Sequence, residues 1–141
     1  MKFKFLEHTA DIKFQAQGGS LEEAFENSAL ALAEVMTKKT KIKGKIKKKI
    51  KVLGKDNESL LYNFLEEFLF LFDSEGFVLA KIGKIKIMEG KLDVEVIGDK
   101  AEHYKLSQDV KAITYNNMFV KKLNQGSATP IKWVCQVVLD V

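Results

Sequence analysis

An α+β fold, with two helices packed on a largely antiparallel or mixed β-sheet, is what this sequence predicts. Three observations carry the prediction. Two segments place apolar residues at helical spacing, each behind a capping residue. Several others alternate apolar and polar residues with the period of two that a half-buried strand requires. The order runs strand, helix, strand, helix and then several strands, which favours helices segregated against a sheet over a strictly alternating parallel design.

The first long strand is "IKFQAQ", where Ile12, Phe14 and Ala16 alternate with Lys13, Gln15 and Gln17. Gly18-Gly19 ends it. Ser20 and Glu23 then form a Ser-x-x-Glu capping box, and Leu21, Ala24, Phe25, Ser28, Leu32, Val35 and Met36 make one helical stripe. Residues 41–52 read as a strand or a bent hairpin arm. Ile42, Ile46, Ile50 and Val52 point inward there, and the lysines, mostly at odd positions, point into water. Asp56 or Asn57 caps a second helix, "ESLLYNFLEEFLFLFDS". Its apolar face includes Leu60, Phe70 and Leu71 beyond a regular stripe, which marks it as the main core element. Two strands joined by a turn at Glu89-Gly90 come next, then the polar loop "GDKAEHYKLSQ". A strand in "DVKAITYNNMFVKKL", the loop "NQGSATP" and a strand over residues 131–141 complete the order.

Composition narrows the class. The 141 residues fit one domain, 1–141, with no linker, repeat or low-complexity tract beyond a lysine cluster. Apolar residues make up 46% and charged residues 30%, the profile of a soluble globular chain. The most apolar stretch, residues 60–72, is broken by Asn63, Glu66 and Glu67 and is too short to span a bilayer. Glu7 interrupts the N-terminal region before a signal-type apolar run develops. The single cysteine, Cys135, has no internal disulfide partner, so a cytoplasmic location is expected. The net charge is +4 and every one of the 23 basic residues is lysine. Ten lysines fall between Lys38 and Lys55, either as a solvated strand face that discourages edge pairing or as a nucleic-acid surface. The lack of arginine counts against bidentate base or phosphate clamping.

Conventional catalytic equipment is sparse. Cys135 sits in an apparent core strand, and neither a G-x-S-x-G elbow nor a Walker-A loop occurs. His8, His103 and Cys135 are too few for a zinc site. "QAQGGSLEEA" sets glycines before a helix N-terminus, a weak anion-site pattern. The ending "CQVVLDV" is more informative: Asp140 sits beside the α-carboxylate of Val141. Asp11 lies where the first long strand begins. If those strands are antiparallel neighbours, three carboxylates converge on one rim. Unit charges about 4 Å apart repel by about 1 kcal/mol in water and about 4 kcal/mol at an effective dielectric near 20. A hard cation or a lysine would relieve that repulsion, and the residue types leave both open, along with simple solvation.

The residues also carry a resemblance. "HTADIKFQAQGGSLEEAFENSALALAEVMT", "LLYNFLEEFLFLFDSEGFVL", "DVKAITY" and "VVLDV" resemble, in order and over essentially the whole chain, the archease family. The resemblance implies an auxiliary protein and not an enzyme. It implies activation of the GTP-dependent tRNA-splicing ligase, by promoting the ligase's guanylylation and multiple turnover in tRNA splicing. It also implies a divalent-metal cluster whose residues match Asp11, Asp140 and Val141, with Ca²⁺ first and Mg²⁺ or Mn²⁺ as alternatives. The family's second association is with a tRNA cytosine methyltransferase as a chaperone-like partner. That suggests the alternative reading: an RNA-binding or chaperone-type module acting through the lysines between Lys38 and Lys55, with a weak or indirect tRNA contact. A metal-dependent hydrolase is a third idea, and it lacks an evident general base. One departure stands out. Asn116 follows Tyr115 where many relatives have histidine. His103 falls where relatives have a histidine-bearing polar loop, and His8 is a candidate rim residue.

Overall fold

The structure, a computed structural model, describes residues 2–7, 10–123 and 131–141. It is α+β as the sequence predicts, with seven strands in two sheets among the described residues. The elements run β1 (Phe3–Leu6), β2 (Ile12–Gly18), α1 (Leu21–Thr37), β3 (Ile46–Leu53), α2 (Asn57–Glu75), β4 (Phe77–Met88), β5 (Lys91–Lys100), a short 3-10 turn (Ala101–Tyr104), β6 (Ala112–Leu123) and β7 (Lys132–Asp140). The first sheet has the order β1-β2-β7-β6 and the second β3-β5-β4. Every pairing is antiparallel. Both helices touch both sheets: α1 lies on β2, β7 and β4, and α2 on β6, β3, β4 and β5. That placement explains the broad apolar face of α2, because Leu60 and Leu71 are buried along with Phe64 and Phe68. Phe70, by contrast, is exposed.

The caps follow the sequence with one change. Ser20 Oγ accepts the Glu23 N–H at 3.1 Å, but Glu23 Oε1 reaches back to the Gly19 N–H at 2.9 Å, one residue before the cap. At α2 the cap is Asp56. Its Oδ1 accepts the Ser59 N–H at 2.7 Å while Ser59 Oγ accepts the Asp56 N–H at 3.1 Å. Gly18 lets β2 turn straight into α1, since a Cβ there would sit 2.6 Å from the Ala24 nitrogen. Glu89 and Gly90 both have positive φ, 48° and 76°, the signature of a tight type I′ hairpin turn.

Three elements differ from expectation. β1 is not anticipated by the sequence pattern; it is a four-residue edge strand whose "FKFL" run is too short to register as one. Residues 41–45 are not strand, and β3 starts at Ile46. The expected polar loop after Val96 is mostly β5 and the 3-10 turn, because Asp99 is held inside (2% exposed) by hydrogen bonds. Its Oδ2 accepts the Tyr104 hydroxyl at 2.7 Å, and Tyr104 in turn accepts the Lys43 N–H at 3.0 Å. A wide bulge in β6 between Thr114 and Phe119 lays Tyr115 over Tyr62 of α2, with ring centroids 4.3 Å apart. Gln136 braces that bulge: it donates to the Asn117 carbonyl at 2.8 Å and accepts from Gln15 at 2.8 Å.

Candidate functional site

The first sheet decides where the candidate carboxylates lie. β2 and β7 are antiparallel neighbours with Ile12 opposite Leu139 and Phe14 opposite Val137. One further step of that register brings the Asp11 position abreast of Asp140, the terminal residue of β7. Residues abreast on antiparallel strands carry Cβ atoms about 4.5–5.5 Å apart. On its other side Asp140 pairs with Ala112 of β6, and its carbonyl accepts the Lys111 N–H at 2.7 Å. Asp140 is thus paired on its β6 side, while on its β2 side the pairing stops one residue short, at Ile12 opposite Leu139. Asp11 and Asp140 are half-buried, and Val141 just beyond them is exposed.

Beside this rim lies a groove of about 940 Å³. Phe5, Leu6, Ile12 and Val35 form its apolar lining, and Glu7, Asp11, Glu34, Lys38 and Lys39 supply its charges. Lys38 ends α1 in a left-handed conformation (φ 52°) and its Nζ lies 2.9 Å from Asp109 Oδ2. The ammonium group holds the Asp109 carboxyl below the usual carboxylate range. Both side chains are about half exposed, so solvent screens the bridge and it adds little to stability.

Among the described residues no three His, Cys, Asp or Glu side chains assemble as a metal cluster. A rim site would therefore draw its third oxygen donor from the Val141 carboxylate. Such an all-oxygen donor set suits hard cations and not zinc. His8 and the expected loop at 124–130 lie outside the described residues. His103 Nδ1 sits 3.2 Å from Asp99 Oδ1, so it belongs to the polar latch of Asp99 and Tyr104. Sequence reasoning missed that latch, since nothing in "GDKAEHY" distinguishes a buried aspartate from a solvated one. Asn116 is exposed on the β6 bulge. The anion pattern before α1 is closed by its own acids: Glu23 occupies the Gly19 amide, and Glu22 stands in the same first turn.

Cys135 is fully buried, and burial pushes its thiol up to about 12. It is no nucleophile at neutral pH. A raised pKa stabilises the fold fully below the unfolded thiol value, about 8.5, and that contribution drains away as pH climbs toward about 12. The parent protein is expected to lose about 1.4 kcal/mol more per pH unit than Cys135→Ala across that window. Urea midpoints measured on both proteins from neutral pH upward check this, and parallel curves would contradict it.

Comparison with known proteins identifies the fold and its relatives. Residues 3–141 match the model of the archease protein family (MTH1598/TM1083). The chain is 42% identical over 145 residues to the archease of Pyrococcus furiosus, covering 99% of each chain. It is 36% identical over 146 residues to that of Methanosarcina acetivorans, covering 99% of this chain and 96% of that one. The solution structure of Methanobacterium thermoautotrophicum protein 1598 superposes with a TM-score of 0.77 at 33% identity, over 99% of both chains. The crystal structure of the Thermotoga maritima archease TM1083 shares the fold, with a TM-score of 0.59 at 23% identity over 98% of this chain and 96% of that one. Family model, relatives and fold agree along essentially the full length: this chain belongs to the archease family.

Proposed function

We propose that this protein is a metal-binding accessory factor that activates the GTP-dependent tRNA-splicing ligase, promoting the ligase's own guanylylation and its multiple turnover, without catalysing a reaction itself. The observation that supports this most is the register of β2 on β7, which draws Asp11 and Asp140 to one end of one sheet. In this reading Asp11, Asp140 and the Val141 carboxylate hold a divalent cation, Ca²⁺ before Mg²⁺ or Mn²⁺. Calcium takes 6–8 oxygens, so three carboxylate groups leave positions for water or for a partner's oxygens. When bound, the cation supplies positive charge at an otherwise anionic rim. The apolar floor of the adjoining groove, Phe5, Leu6, Ile12 and Val35, gives a partner surface something to bury. Activation then requires that this rim bind the nucleotide-competent form of the ligase better than its other forms.

No described helix is long and apolar enough to cross a membrane. The cytoplasm, where tRNA splicing intermediates and a reduced Cys135 would coexist, is the compartment this function calls for.

The deciding experiment is single-turnover guanylylation of the cognate ligase with labelled GTP. It is run with no partner, with the parent protein, with Asp140→Ala and with Val141 deleted. Stimulation by the parent and its loss in both variants, each folded by circular dichroism, is the expected result. Equal stimulation by parent and variants overturns the rim mechanism. No stimulation by the parent overturns the ligase assignment.

A further inference from the structure

We propose that the outer face of the second sheet docks base-paired RNA through its phosphate backbone, without regard to sequence. The inner face of this sheet is covered by the helices, while its outer face is a surface of lysines in two rows. Along β3 the outward residues are Lys47, Lys49 and Lys51, all exposed. Along β4 they are Lys81, Lys84 and Lys86, also exposed, with Lys84 at the register shift between Ile82 and Ile85. β5 runs between the rows and adds Lys91 at one end, with Asp93 and Glu95 as the acids of the face.

This face holds most of the molecule's charge asymmetry. Seven of the 23 lysines stand on it against two of the 19 acids, leaving 16 lysines and 17 acids for the rest of the chain. Its formal charge of about +5 therefore exceeds the +4 of the whole protein. The strand spacing sets the distances between these charges. Lys47, Lys49 and Lys51 are alternate residues of β3, about 6.6–6.8 Å apart, the β4 row is offset by the register shift at Lys84, and two strands flanking a third lie about 10 Å apart. The sequence reveals only the β3 row. The β4 row joins it because β5 pairs with both strands.

The lysines between Lys38 and Lys55 do not all belong to this face. Lys38 is committed to Asp109 at the rim of the first sheet. Lys48 turns inward to pair with Glu75 at the end of α2.

The chemistry of the face selects the partner. Its apolar residues, Leu53, Met88 and Ile97, lie at its margins, and no aromatic ring stands on it to anchor a protein interface or stack an unpaired base. With no arginine in the chain, bidentate reading of base edges is absent as well. Point charges on a three-stranded support remain. They suit the regular phosphates of an A-form helix, which proteins recognise largely by shape and backbone. The proposal is independent of the carboxylate rim and stands whether or not that rim holds a metal.

The test is fluorescence anisotropy with a labelled RNA duplex of about 16 base pairs and arbitrary sequence, titrated from about 50 to 200 mM salt. Five phosphate contacts at about 0.9 per contact give a log–log slope near −4.5, a loss of roughly 500-fold across that range. The triple variant Lys47→Gln/Lys49→Gln/Lys51→Gln is expected to flatten the slope by about 3, because each phosphate contact removed lowers it by about 1. The variant Lys4→Gln/Lys121→Gln/Lys122→Gln removes equal charge from the first sheet and should retain the parent slope. All substituted side chains of β3 are exposed, and an unchanged urea midpoint verifies folding. No binding at low salt overturns the proposal. So do equal losses in both variants, parent-like binding by the β3 triple, or preference for a single strand of the same length.

Discussion

Asp140→Asn is expected to abolish stabilisation by divalent cations while leaving the metal-free protein at least as stable as the parent. The two halves have opposite physical causes. Without a cation, one further step of the β2–β7 register sets Asp140 abreast of Asp11, and the substitution removes a negative charge from that end of the sheet, where like charges about 4 Å apart in water repel by about 1 kcal/mol. With a cation at a hundred times its dissociation constant, the parent gains about 2.7 kcal/mol, on the order of 10 °C in melting temperature. The variant, short of a charged ligand, gains little. Thermal melts of both proteins in chelator and across a calcium series measure both halves. The same calcium-induced shift in the variant would remove Asp140 from the site. A variant less stable than the parent in chelator would show that its carboxylate serves the fold.

Phe64→Ala is expected to cost about 3–5 kcal/mol, a large part of the roughly 5–15 kcal/mol that holds a domain of this size together. Phe64 is 0% exposed at the centre of α2. Its ring stacks on Phe25 of α1 at 6.1 Å and meets Phe68 edge-on at 5.2 Å. Truncation leaves a cavity between the two helices, each of which is pinned by both sheets, so neither can move in to fill it. Removing the ring also forfeits its attraction to both aromatic neighbours, which adds to the cost. Urea unfolding at neutral pH gives the number. A cost below about 1 kcal/mol would mean the interior relaxes far more freely than this packing implies.

Local physics makes both helices legible in the sequence itself. Ser20 and Asp56 announce their caps, and the stripes behind them repeat at helical period. The Glu89-Gly90 turn is legible through Gly90, which takes positive φ freely, whereas Glu89 at φ 48° is not a residue that favours it. The carboxylate rim is legible only conditionally. Two aspartates at opposite ends of the sequence meet if their strands pair, and pairing is a property of topology that no local pattern encodes. The double lysine row has the same status, since it needs β5 to join β3 and β4. Asp99 is not legible at all. Its burial depends on the Tyr104 hydroxyl closing over it, and a surface aspartate would carry the same neighbours in sequence.

The order β1-β2-β7-β6 also sets a timetable for synthesis. Gln15 and Gln136 are bonded across 121 residues, so β2 emerges from the ribosome long before the strand it must pair with exists. Until β7 is made, the N-terminal hairpin has only the flank of α1 to lean on, and its apolar inner face waits for cover. Such distant pairings slow folding, because loop closure comes before the contacts that reward it. A nascent chain therefore has no rim: Asp11 and Asp140 come abreast only after the whole sheet closes. A polypeptide stalled or truncated before β7 would have its second sheet but neither a finished first sheet nor the Asp11–Asp140 rim.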